Sequence, residues 1–131
     1  MDKYFFLGLT QVTIVVHFLF ILFVVFGGFF SRRRLWLIVV HLSCVAWAVF
    51  AELSPGVICP LTSLENYFGF RAGLSTYEED FITRYLVPII YQESLTRDVQ
   101  FVIVAIVITI NLIAYKNMYR LKGRAERNGT K

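Results

Sequence analysis

Three charge-free apolar runs set the pattern of the chain: residues 4–30, 35–51 and 99–115 hold no Asp, Glu, Lys or Arg. Crossing bilayer hydrocarbon takes a helix of about 20 apolar residues, so the runs predict transmembrane helices over about residues 4–28, 35–53 and 99–119. The first run exceeds the roughly 7–15 apolar residues of a signal-peptide core. Its MDK start has no net side-chain charge and no small-x-small cleavage site follows it, so it is expected to stay as an anchor.

Polar residues inside the runs fall on stripes. At about 100° per residue, Thr10, Thr13, His17, Val24 and Gly28 share one face of the first helix. On the second helix His41 and Glu52 lie three turns apart and about 20° out of phase, with Cys44, Val45 and Ala48 between them. Gln100 and Asn111 are related in the same way on the third, with Tyr115 one turn beyond. Small and hydroxyl side chains let helices approach closely in lipid, and a polar group facing lipid costs free energy. The three stripes are therefore expected to face one another, with the second helix at the centre. Gly27-Gly28 is expected to loosen the end of the first helix, and Ser54-Pro55-Gly56 to end the second.

The connection, residues 54–98, carries patterns of its own. Thr62-Ser63-Leu64-Glu65 and Thr76-Tyr77-Glu78-Glu79 match the capping-box spacing, predicting short helices over about 63–70 and 77–87. The second is amphipathic, with Tyr77, Phe81, Ile82, Tyr85, Leu86 and Ile89 opposite Glu78, Glu79, Asp80 and Arg84, and suits a membrane interface. Pro88 is expected to end or kink it. Thr96 and Asp98 suit the start of the third span as cap and dipole partner.

The fold class that follows is all-α integral membrane: a three-helix transmembrane bundle with short outer amphipathic helices. Residues 1–120 form one membrane domain and residues 121–131 a basic tail. Charge adds an orientation. Nine of the 13 Lys and Arg residues lie in the Arg32-Arg33-Arg34 turn and the C-terminal tail, so both are expected in the cytoplasm, with the N-terminus and the 54–98 connection outside. The net charge of +4 comes from these residues and suits anionic lipid contact, so the lipid bilayer is the expected partner and no nucleic acid is. Two cysteines are too few for a disulfide framework, and Cys44 lies in an apolar run, away from Cys59. Phosphate loops, Ser/His/Asp and HExxH spacings and Cys-x-x-Cys pairs are absent, so no catalytic residue is assigned and an enzymatic role has no motif behind it.

Taken together, VVHFLFILFVVFGG, the Trp-containing second helix with its His, AELSPGVICPLTSLEN, FITRYLVPIIY and the last apolar helix resemble the small bacterial membrane proteins of the family called domain of unknown function 2784. The resemblance covers about residues 10–115, and Cys59 to Glu65 is its most specific part. It implies a multi-pass protein of the bacterial inner membrane, points to His17, His41, Glu52, Cys59, Pro60, Thr62 and Glu65, and supplies no activity. Gln92 departs from it, standing where family members often carry Pro.

Candidate chemistry divides into two sets. The intramembrane set is His17, His41, Glu52 and Asn111, with Thr13 and Tyr115 as neighbours and Cys44 alongside, because ionisable side chains in hydrocarbon are costly enough to suggest function. A hairpin turning at the arginines puts Val24 level with His41 and Thr13 level with Glu52, leaving the two histidines about 10 Å apart in depth. That offset disfavours a shared haem b iron or transition metal within one protomer. The better-matched pairs are His17 with Glu52, His17 with Asn111, and His41 with Tyr115. Three uses stay open: hydrogen bonds between helices, a ligand or cofactor site, and a proton relay through Glu52, His17 and His41. The outer set is Cys59, Pro60, Thr62 and Glu65, read either as a capping turn or as a reactive or metal-binding thiol at a helix start. An accessory or ligand-binding role is expected, as a homo-oligomer or within a larger membrane complex.

Overall fold

The computed structural model describes residues 2–31, 34–79, 81–90 and 97–128. Arg32, Arg33, Asp80, Gln92 and Thr96, which figure in the sequence reading, lie outside the described residues. The elements are α1 (Asp2–Phe30), α2 (Leu35–Leu53), α3 (Pro60–Arg71), a π-helical run (Ile82–Leu86) that continues as α4 (Val87–Ile90), and α5 (Arg97–Asn128). Among the described residues there is no strand. Helices α1, α2 and α5 are long and apolar enough to cross a membrane, and the chain is an all-α membrane protein.

The organising helix is α1, not the expected α2. It packs against α2, α3 and α5, and its buried residues are Thr10, Thr13, His17, Val24, Gly27 and Gly28. Only His41 of α2 is buried, so most of that helix faces outward with Trp36, Val40, Trp47 and Phe50 exposed. The cause is the length of α1's polar and small face, which serves α2 and α5 at one end and α3 at the other.

Gly27-Gly28 does not loosen α1, which runs unbroken to Phe30. The pair admits neighbours instead: a Cβ at Gly27 would lie 2.5 Å from His41 Cδ2, and one at Gly28 would lie 3.2 Å from both Ala114 Cβ and Asn111 Oδ1. This close approach is the usual gain from small residues between membrane helices.

Neither capping box forms. Helix α3 starts earlier than expected, with Cys59 at its N-cap making no side-chain cap bond and Pro60 opening the first turn. Proline suits that position because its fixed φ is already helical and its missing N–H would have no intrahelical partner. Thr62 and Glu65 are thereby turned inward, with Gly69 completing the buried face. The second expected helix lacks its first turn because the Asn66 side chain takes over the backbone of Tyr77, Nδ2 donating to the Tyr77 carbonyl at 2.6 Å and Oδ1 accepting its N–H at 3.1 Å. Phe81 is buried against α1 rather than lying in an interface, and Pro88 does not end the helix, which runs from the π-helical run through α4 to Ile90. At the other end α5 continues past the expected limit near 119 to Asn128, so residues 121–128 are helical, and mostly exposed.

Candidate functional site

Two polar clusters and a set of cavities lie along α1. The first cluster is at the Gly27-Gly28 end. Asn111 Nδ2 donates to the Val24 carbonyl at 3.0 Å and to the Val107 carbonyl at 2.9 Å. His41, fully buried, places Nε2 3.3 Å from the same Val24 carbonyl and Nδ1 2.7 Å from the Tyr115 hydroxyl. A carbonyl only accepts, so Nε2 carries the proton, and the Tyr115 hydroxyl, which can donate or accept, pairs with Nδ1. One α1 carbonyl thus receives donors from α2 and from α5, which ties the three spans at one level.

The second cluster joins α3 to the opposite half of α1. Lys3 Cε is 3.9 Å from the Cβ position of Gly73, and Thr10 Cγ2 is 3.9 Å from that of Gly69, so α3 runs antiparallel to α1. Two turns further along each helix, Thr62 comes to about the depth of His17. The His17 ring stacks on Phe81 at 4.1 Å between centroids, and Phe81 on Tyr85 at 4.8 Å. The Tyr85 hydroxyl donates to Glu65 Oε1 at 2.6 Å, and Glu65 is only 2% exposed. Burial, first, and then the Glu65 carboxylate raise the Tyr85 and Tyr77 hydroxyls above their ordinary pKa of 10.0, since both disfavour a phenolate.

Between α1, α2 and α5 lies a cavity of about 230 Å³, open on one side, walled by Phe20, Val24, Ala48 and Val104 and covered by Ile82 and Leu86. Among the described residues its one ionisable lining residue is Glu52. Glu52 also lines a polar cavity of about 260 Å³ with Glu78, Glu79, Arg97 and Gln100, and a smaller one of about 60 Å³ with Cys59 and Phe81. Arg97 is held at that rim by Nη1 bonds of 3.3 Å to the Leu53 carbonyl and to Gln100 Oε1. Glu52 therefore lines both an apolar and a polar cavity.

The candidates separate accordingly. His41, Asn111 and Tyr115 come together, joined by Val24. Asn111 does not pair with His17, because its amide reaches Val24, two turns along α1 from His17. The two histidines belong to different clusters about 10 Å apart along α1, so one protomer does not offer them to a single iron or metal ion. Among the described residues no three His, Cys, Asp or Glu side chains converge in a metal-binding group. Both cysteines are free thiols. The sequence places Tyr77 and Tyr85 on the apolar face of an amphipathic helix and gives no sign of their meeting with Glu65, which spans a loop and has no local spacing. The capping-box pattern that pointed at Glu65 gave it a different partner.

A family model described as "Protein of Unknown function (DUF2784)" matches residues 8–116, and the chain belongs to that family. No curated protein and no solved structure matches the chain.

Proposed function

We propose that this member of the DUF2784 family is an accessory protein of the bacterial inner membrane that binds one amphiphile, its chain in the apolar cavity and its head group in the polar one. The observation that carries this reading is the placement of Glu52 on the wall of both compartments. Binding sites combine a mainly apolar lining with a few placed polar groups. At about 230 Å³ the apolar cavity falls short of the roughly 300–1,000 Å³ of a pocket that encloses a whole drug-sized ligand, so it accepts a segment of acyl or prenyl chain. Glu52, Arg97 and Gln100 then orient the head group. The positive-inside distribution supports an N-terminus and 54–98 connection outside and a cytoplasmic C-terminus.

Native mass spectrometry of the purified, delipidated protein tests the reading. The expected result is a retained adduct of one lipid-sized mass per chain, lost in Ala48→Phe and Val104→Phe, whose rings occupy the cavity, and weakened in Glu52→Gln. Adducts equal in the folded wild type and both filled variants would overturn it. So would a wild type that retains none.

A further inference from the structure

The Glu65 cluster is built for something the amphiphile reading does not use. Glu65 and Thr62, one turn apart on the inward face of α3, are 2% and 0% exposed. Tyr85 satisfies Glu65 Oε1, but Glu65 Oε2, Thr62 Oγ1 and the Tyr77 hydroxyl are all buried without a hydrogen-bond partner. The Tyr77 hydroxyl is turned toward the same carboxylate without completing a hydrogen bond of good geometry, its backbone pinned by Asn66 and its ring covered by the Arg84 guanidinium at 4.3 Å. Orphaned buried polar atoms are rare because each costs about 1–3 kcal/mol. Here one is an oxygen of the carboxylate itself, one lies a turn away on the same buried helix face, and one belongs to a tyrosine that meets that carboxylate.

We infer that this site holds one small monovalent cation, bound by Glu65 Oε2, Thr62 Oγ1 and the Tyr77 hydroxyl oxygen. None of the three atoms has a hydrogen-bond partner, so no one of them satisfies another. A cation instead meets lone pairs on all three atoms. An all-oxygen donor set selects hard ions over soft ones. One carboxylate balances one positive charge, whereas a divalent ion would leave buried charge uncompensated.

Thermal unfolding of the full-length protein in detergent, in sodium chloride and in choline chloride at matched ionic strength and a fixed neutral pH, tests the site. Sodium is expected to raise Tm with a saturable dependence, because an ion bound only by the folded state stabilises it by mass action. Thr62→Val, which keeps the shape, should weaken the sodium midpoint by roughly tenfold or more, and Glu65→Gln should abolish the response. Equal Tm in the two salts for wild type would overturn the inference. So would an undiminished sodium response in Thr62→Val, or stabilisation by acid to the same degree in either salt, which identifies a proton as the occupant. Should Glu65→Gln not fold, the wild type and Thr62→Val decide.

Discussion

Gly27 and Gly8 lie on the same helix and have opposite prospects. The Cβ of Gly27→Ala would meet a His41 ring fixed by two hydrogen bonds, with Phe23 Cδ2 also at 2.9 Å. Overpacking of this kind costs about 1–3 kcal/mol. Gly8 has nothing within 4 Å of its Cβ position, so Gly8→Ala is expected to be neutral or to add up to about 1 kcal/mol. Denaturant titration in mixed micelles distinguishes the two, and equal effects would contradict the close packing at Gly27. In the same assay Tyr115→Phe should cost about 0.6 kcal/mol and at most about 1.7, the range for one interhelical hydrogen bond. His41→Phe should cost more, because it removes both bonds and leaves the Tyr115 hydroxyl without its partner, while Asn111 still donates to the Val24 carbonyl.

At the scale of elements, what was legible in the sequence was phase. Thr10, Thr13, His17, Val24 and Gly28 could be placed on one face because polar and small residues stand out in an apolar run and helical geometry fixes their angles. The hairpin arithmetic likewise set Val24 level with His41, whose Nε2 lies 3.3 Å from the Val24 carbonyl. The capping boxes misled because Thr-x-x-Glu has the same spacing whether it caps a helix or lies inside one, and a proline two residues upstream moved the start. The Tyr77–Glu65–Tyr85 contact was illegible because it depends on the Asn66 clasp, a tertiary bond across the loop. Asn66→Ala should therefore raise amide exchange over residues 72–79 well above the change in α3. The tyrosines also imply a pH dependence. Their folded pKa values lie above the ordinary 10.0, so the folded state keeps protons that the unfolded state loses above that pH. Stability is then level below about pH 10 and falls as pH rises beyond it. Tyr77→Phe should flatten that alkaline fall, and an unchanged profile would separate Tyr77 from the buried carboxylate.

The whole molecule is a three-span bundle arranged on α1, with α3 laid antiparallel along one half and cavities meeting at Glu52. α5, at 32 residues about 48 Å long, exceeds roughly 30 Å of hydrocarbon, so its last turns with Arg120, Arg124 and Arg127 project from the bilayer. If those turns lie in the cytoplasm, as proposed, a membrane-impermeant maleimide added to intact cells should label Ser75→Cys in a Cys44→Ser, Cys59→Ser background and leave Glu126→Cys unlabelled. The reverse pattern would invert the orientation. The amphiphile reading is tested most directly in native membranes by a photo-activatable residue placed at Ala48, inside the cavity, and separately at Ala46, exposed on the same helix. The expected result is one dominant adduct mass at position 48 and the mixed masses of bulk phospholipid at position 46. The same mixture at both positions would show that the cavity selects no ligand, and would contradict the proposed function.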